Sequence, residues 1–437
     1  MWPYHPDLLA TPVPRYTSFP TAAEFGDKVG EGDLRSALAT VEGDVSLYVH
    51  IPFCEKICWY CGCNTAAANR KQRLTAYLDA LHHEIALMAS LLPGPVNITR
   101  IAFGGGSPNA IAPYDFVRLM DSLYLAFAPR DPVISIELDP RTLTAEWGEV
   151  VAGVGATHAS MGVQTFSPRL QRAIGRVQPG EMIEQGTALL RRSGITSLNF
   201  DLMYGLPGQT MVDVGHSIER AVELGADRIA LFGYAHVPHM IPRQRQIAAD
   251  NLPGAQMRFA MAEFGHRLLT DEGYVAIGFD HFARPGDPMA QAARGGRLHR
   301  NFQGFTEDTA PVLLGLGASA ISSFPHLLIQ NEKNAGRYRM LLSQDRLPAS
   351  HGVARSADDQ ARGAAIAELL CHGSAEIPPA LAREAYDRLE PYLARGLCDY
   401  DKGRLVIAAN AVPYARSIAA AFDPYRQQSA RRFSSAV

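Results

Sequence analysis

At 437 residues the chain is longer than one hydrophobic core accommodates, so a large domain with a smaller companion is expected. Hydrophobic residues make up 47% and charged residues 19%, which excludes both a disordered chain and a disulfide scaffold. The formal net charge of -3 carries no footprint for nucleic acid, and the short basic clusters Arg243-Gln244-Arg245 and Arg431-Arg432 read as solvated faces.

Residues 1–44 read as a Pro- and Gly-punctuated arm, with Pro12, Pro14 and Pro20 around Arg15-Tyr16-Thr17-Ser18-Phe19 and a short helix near 33–41. Such an arm is ordered only by lying on something else. It lacks a basic segment followed by an apolar run, and no apolar stretch in the chain is long enough for a bilayer, so a cytoplasmic protein without a membrane span is expected. From residue 45 a rhythm begins. Apolar runs of strand length at 46–51, 100–103, 133–138, 159–163, 197–203 and 228–234 alternate with helical patterns near 74–92, 114–127, 145–151, 180–192 and 212–224. Repeated βα units imply a parallel sheet with right-handed crossovers, and six of them suit an incomplete (β/α)6 barrel. A strand-like run at 274–279 extends the edge. Beyond about residue 345 the rhythm stops, and helices at 358–371 and 379–395, a strand at 404–407 and a last helix at 412–422 predict a small, mostly helical C-terminal domain with a winged-helix-like order. The expected division is 1–44, 45–345 and 346–437.

Four of the six cysteines fall in the stretch from Tyr48 to Asn64. Without a secretory signal, such clustering points to a metal or redox centre rather than to disulfides. Cys54, Cys58 and Cys61, spaced C-x3-C-x2-C, can wrap one face of a cubane iron–sulfur cluster and leave one iron open. The competing reading is a structural zinc site made from Cys54, Cys58, Cys61 and Cys63, although zinc usually draws on two separated knuckles. His50, on a strand two residues before a proline, reads as a core or supporting group. Cys371 and Cys398, far downstream, read as buried small hydrophobes. Gly104-Gly105-Gly106, Glu137, Gln164 and Asp201 each follow or end a predicted strand, where parallel α/β folds place their chemistry.

The cysteine loop after a strand, with Tyr60 before its third cysteine, resembles the radical S-adenosylmethionine (SAM) superfamily. Pro14–Pro20, YVHIPFC…CWYCGCN, Gly104-Gly105-Gly106-Ser107-Pro108, Ile136–Pro140, Ser160–Gln164, Asp201–Pro207, Tyr234-Ala235-His236, Asp280–Pro285 and Arg300–Gly304 together are similar to the oxygen-independent coproporphyrinogen III oxidases, over nearly the whole chain. The resemblance implies a radical-SAM barrel with a [4Fe-4S] cluster and two SAM molecules. The implied reaction is oxidative decarboxylation of two propionates of coproporphyrinogen III to vinyls, giving protoporphyrinogen IX in porphyrin and haem biosynthesis. It assigns Cys54, Cys58 and Cys61 to the metal. Tyr48, Gly105, Glu137 and Ile321 are assigned to the SAM on the cluster, and Tyr60, Gly106, Ser107, Gln164, Arg176, Asp201 and Ala235 to a second one. Cys63, outside the ligand set, Tyr48 and, toward the substrate, Arg15 are the catalytic candidates. Arg284 and Arg300, with Tyr16 and His281 nearby, are further candidates for holding propionates. The implied partners are the porphyrinogen, a low-potential electron donor and a final electron acceptor, and the implied state is a monomer. Phe19 stands where the family commonly has tyrosine, Ser107 where threonine is usual, and Asn109 follows the glycine turn. A haem chaperone of the same superfamily is an alternative, although such relatives generally lack both Cys61-Gly62-Cys63 and the Arg15-Tyr16-Thr17-Ser18 arm. A related radical-SAM methyltransferase or haem-degrading enzyme is the other.

Overall fold

The computed structural model describes residues 1–68 and 71–427; the Arg431-Arg432 cluster lies outside them. Six strands, β1 (Asp44–Ile51), β2 (Asn97–Gly105), β3 (Val133–Leu138), β4 (His158–Gln164), β5 (Ser197–Tyr204) and β6 (Arg228–Gly233), run parallel and neighbour one another in chain order. Helices α1 (Lys71–Ser90), α2 (Pro113–Phe127), α3 (Ala145–Gly153), α4 (Gly180–Arg192) and α5 (Met211–Glu223) alternate with them, and α6 (Ala255–Asp271) follows β6. This is the incomplete α/β barrel that the rhythm predicts. The alternation of side chains sorts its faces. In β1, Val45, Leu47, Val49 and Ile51 are buried in the main apolar core, leaving Ser46, Tyr48 and His50 on the other face. Phe116, Leu119, Met120, Leu123 and Phe127 form the buried stripe of α2, and Phe116 packs on Phe103 of β2 with ring centroids 4.7 Å apart.

Charge closes the end of the barrel where the strands start. Arg228 donates to Asp287 at 2.8 Å and meets Glu307 at 3.4 Å, while Arg100 pairs with Glu307 at 2.5 Å. Only the opposite end, at the strands' C-termini, is left for a ligand.

The sheet is larger than the sequence suggests. The expected edge strand is present as β7 (Val275–Ile277), but β8 (His281–Ala283) intervenes between it and β6, both pairings being antiparallel. On the other side of β1 lie a seventh parallel strand, β9 (Val312–Leu316), and then three antiparallel strands, β10 (Ile321–Phe324), β11 (Leu327–Asn331) and β12 (Ala349–Ala354). Buried throughout and containing a glycine, β9 offers no alternation to detect. Gly315 is required there, since a Cβ on it would stand 2.5 Å from the Ile321 carbonyl oxygen. Helix α7 (Ala335–Leu342) leads into β12. After β12 come α8 (Ala357–His372), α9 (Pro379–Leu393) and a small antiparallel sheet of Ser374–Glu376, Arg404–Ile407 and Cys398–Asp401. The expected last helix is broken into two 3-10 turns around Ala415–Ala419; Pro413, without an N–H, sits in the first. Cys371 and Cys398 are buried as expected. No helix among the described residues is long and apolar enough to cross a membrane.

The arm lies in the groove between α6 and the C-terminal segment. Trp2 and Tyr4 pack on Phe259, and the Tyr414 hydroxyl donates to the Pro3 carbonyl while accepting from the His5 N–H. The Tyr16 hydroxyl donates to Asp423 at 2.9 Å. Phe19 is buried against Tyr425, whose own hydroxyl donates to Asp359.

Behind the site, α1 presents a fully buried Glu84 that accepts from Gly317 N, Asn331 Nδ2 and the Tyr338 hydroxyl, each at 2.6 Å. Tyr77 of the same helix donates to the His50 carbonyl and accepts from Ala318 N, pinning the ends of β1 and β9 together. Burial pushes the Glu84 carboxyl up to about 7, against the three donated hydrogen bonds. A raised carboxyl favours the protonated folded form. Its contribution is therefore fully present below the unfolded value of about 4.3 and is lost as pH rises through about 7, a swing of roughly 3 kcal/mol. Urea midpoints measured at pH 5 and pH 8.5 should fall more for the wild type than for Glu84→Gln; parallel falls would show that Glu84 does not titrate in this range.

Candidate functional site

Every element that ends at the open mouth contributes. The loop after β1 is stitched to itself where Phe53–Cys54 pairs with Ala66–Ala67, and to β2 where Gly106 N donates to Ile51 O and Ser107 N to Phe53 O. Gly106 is needed for this approach, because a Cβ would lie 2.4 Å from the Phe53 carbonyl oxygen. Gly105, at a φ of +114°, lies under the His50 ring and donates its N–H to Glu137 at 3.2 Å. The two glycines thus answer to specific neighbours.

The loop encloses a cavity of about 330 Å³ with the strand ends. Cys54, Cys58, Tyr60, Cys61 and Cys63 line one part of it, and Gly105, Gly106, Glu137, Gln164, Arg176 and Asp201 the rest. Eleven of the residues singled out from sequence therefore meet in one place. Gln164 reaches it through an irregular register between β4 and β5, with a φ of +66° that a residue bearing a Cβ rarely adopts.

The other assigned residues stand around this cavity rather than in its wall. The Tyr48 hydroxyl hydrogen-bonds His50 Nδ1 at 3.0 Å, and nearby Glu137 and Cys63 help burial raise its pKa. Ile321 begins β10 beside Gly315, the β9 partner of Tyr48. Ser107 is buried and donates its hydroxyl to Asn109, whose amide bonds both the N–H and the carbonyl of Asp139. Ala235 lines a neighbouring pocket, described below.

Three carboxylates and two guanidiniums set the electrostatics. Burial first, then repulsion from Asp201, pushes Glu137 up to about 7. Asp201 is likewise raised by burial, against hydrogen bonds from Asn199 and Ser160. On the thiol side, Arg141 Nη2 and Arg176 Nη1 lie 3.4 and 3.3 Å from the buried Cys58 Sγ. Asp139 binds both arginines, and they hold its carboxyl below the usual range although burial opposes them. A hydrogen bond from Cys63 holds the Cys61 thiol down, whereas burial pushes Cys54 up.

Sequence reasoning misjudged several residues here. The Arg243 cluster is not a solvated face: Arg243 donates to the Cys63 carbonyl and to Thr65, and the buried Gln244 to the carbonyls of Tyr60 and Ala235, so this turn clamps the cysteine loop. Arg284 lies at the closed end of the barrel, donating to the carbonyls of Ala226 and Val222, and does not line the cavity. Arg300 donates to the carbonyls of Arg15 and Tyr16, so it holds the arm. Arg15 does reach the open end: it pairs with Asp280 and stacks 4.8 Å from the ring centre of Phe232, a residue of the cavity wall. Asp139 entered only as part of the Ile136–Pro140 motif, without a role of its own, and Arg141 went unnoticed.

The donor set fits a cluster with an organic cofactor. Four thiols face the cavity, yet among the described residues no three His, Cys, Asp or Glu side chains stand close enough to hold a single metal ion. The opposite wall offers two carboxylates, Glu137 exposed to the mouth and Asp201 half-buried, suited to ribose hydroxyls or a sulfonium.

Comparison with known proteins agrees with this geometry. The family model of the radical SAM superfamily matches residues 48–221. The oxygen-independent coproporphyrinogen III oxidase of Bradyrhizobium diazoefficiens is 40% identical over 97% of both chains, and that of Escherichia coli is 37% identical over 96% of this chain and 94% of its own. The solved structure of the Escherichia coli coproporphyrinogen III oxidase, a radical SAM enzyme, superposes with a TM-score of 0.90 at 36% identity, covering 97% of this chain and 99% of its own. Membership of that superfamily implies a [4Fe-4S] cluster and SAM as cofactors. The chain belongs to the family of oxygen-independent coproporphyrinogen III oxidases within the radical SAM superfamily.

Proposed function

We propose that this chain converts coproporphyrinogen III to protoporphyrinogen IX by oxidatively decarboxylating two of its propionates to vinyls. The observation that carries the reading is one cavity holding the cysteine loop and the Glu137–Asp201 pair, with Arg15 stacked on its Phe232 wall; the names of the relatives support it. When bound, the cluster and SAM would supply the one-electron radical chemistry that activates the β-carbon of a propionate.

The residues of the chain bind, orient and shield. Cys54, Cys58 and Cys61 would hold the cluster, with Arg141 and Arg176 offsetting the negative charge at Cys58. Glu137, Tyr48, Gly105 and Ile321 would surround one SAM. Tyr60, Gly106, Gln164, Arg176, Asp201 and Ala235 would surround a second. Ser107, with its hydroxyl committed to Asn109, would act on that site by shaping the turn. Cys63, exposed at the mouth, stands outside the ligand set in this reading. We read residues 1–44 as a covering arm, 45–345 as the catalytic barrel with its extension, and 346–437 as the C-terminal domain. The same reading has a cytoplasmic monomer served by a low-potential electron donor and a final electron acceptor.

The test is anaerobic. Reconstituted protein given SAM, reductant and coproporphyrinogen III should release 5′-deoxyadenosine together with divinyl product. SAM cleavage without decarboxylation would remove the oxidase reading in favour of another radical-SAM activity. Stoichiometric zinc and no cluster would remove both.

A further inference from the structure

Next to the cofactor cavity lies a second, smaller one of about 60 Å³, walled by Arg15, Arg258, Arg416, Tyr204 and Asp280. Among the described residues lining it, Asp280 is the one carboxylate, and it is already engaged by Arg15 and by His281 Nδ1 at 2.6 Å. Arg258, on α6, makes no ion pair among the described residues, and its Nε is buried without a hydrogen-bond partner. Two glycines make room for its guanidinium: a Cβ at Gly205 would stand 3.0 Å from its Nε, and one at Gly233 would stand 3.3 Å from its Nη2. Arg416 comes from the C-terminal segment and Arg15 from the arm, so three separate parts of the chain deliver cations to one pocket. The Arg258 guanidinium, half-buried with its Nε sealed from solvent, gives up hydration there with no ion pair among the described residues in return, so folding alone does not account for it.

The position of this pocket says what brings the anion. Gly233 and Ala235 form part of its wall, while Phe232, the residue before them, faces the cofactor cavity and carries Arg15 on its ring. An anion seated here therefore belongs to a molecule whose body lies over the cofactor cavity. About 60 Å³ admits a carboxylate and excludes a macrocycle.

We propose that the pocket of Arg258, Arg15, Arg416 and Tyr204 is a carboxylate subsite that seats one propionate of the porphyrinogen, with Arg258 as its principal partner. This rests on the functional reading above. By anchoring a propionate here the subsite would fix the rotation of the ring, and with it which propionate faces the radical.

Steady-state kinetics of the reconstituted holoenzyme test it. Arg258→Gln should raise the KM for coproporphyrinogen III by about 10- to 100-fold, the range expected for losing a charged hydrogen-bond partner, while the KM for SAM stays put and Arg258→Lys restores most of the loss. Ala262→Glu, which adds a carboxylate to the same wall, should raise the porphyrinogen KM in the same direction, and it decides the matter if Arg258→Gln does not fold. A wild type that cleaves SAM but forms no vinyl product overturns the functional reading and the subsite with it. Normal wild-type turnover with an unchanged porphyrinogen KM in a folded Arg258→Gln or Ala262→Glu variant overturns the subsite alone, as does a rise in the KM for SAM equal to that for the porphyrinogen.

Discussion

Replacing Cys58 by serine is expected to abolish the visible charge-transfer absorbance of the reconstituted protein and to take vinyl formation to background, and Cys54→Ser and Cys61→Ser should do the same. Cys63→Ser should keep the absorbance and close to full iron content. The difference comes from where the four sulfurs stand. Cys58 is 5% exposed and has two guanidinium groups within hydrogen-bond reach of its sulfur, placed to offset the charge of a metal-bound thiolate. Cys63 is exposed, and its carbonyl is tied to Arg243 outside the cavity. A hydroxyl at position 58 would meet the same two cations but is far less acidic than a thiol, so it would not bridge to iron as an anion. Iron and acid-labile sulfide per chain, measured anaerobically beside the spectrum, check the expectation. A cluster that survives in Cys58→Ser and vanishes in Cys63→Ser would move the ligand set one cysteine along.

The parallel barrel was legible because its strands are β-branched and apolar and its helices amphipathic, so both periods stand out locally; β3 and α4 lie where they are expected. Its seventh parallel strand was hidden, since VLLGL is buried on both faces and borders β1 only through a pairing more than 260 residues away. The same distinction governs the site. Glu137, Gln164 and Asp201 could be found because strand ends in a parallel sheet share one mouth. Arg284 was misplaced because a motif does not reveal that β8 runs antiparallel, which carries the residue after it to the closed end. Arg258 sits in the first turn of α6 among uncharged residues, and only the close approach of Gly205 and Gly233 in space gives it meaning. The Arg243 turn looked solvated for the same reason: its partners are carbonyls of the distant cysteine loop, and backbone acceptors leave no trace in sequence.

Asp139→Ala should cost about 3–5 kcal/mol of stability, the range for removing one member of a buried ion pair, and should lower the urea midpoint of the cluster-free protein more than Cys63→Ser does. The carboxylate accepts from Arg141 N at 3.0 Å, from Arg141 Nη2 at 2.6 Å and from Arg176 Nη2 at 3.3 Å, and both arginine side chains are less than a tenth exposed. Without it, two guanidiniums converge on Cys58 with no anion between them. Asp139→Asn keeps the shape and loses the charge, so it isolates the electrostatic part. Because the arginines hold the wild-type carboxyl below its ordinary value, the stability it supplies is present above the unfolded pKa of about 3.9 and is lost as pH falls through the lower folded one. The gap between wild type and Asp139→Asn should therefore stay constant from pH 8 to about pH 5 and narrow in more acidic buffer. A gap that does not narrow as the pH falls would mean that Asp139 acts through its shape and hydrogen bonds and not as the counter-ion of the cysteine loop.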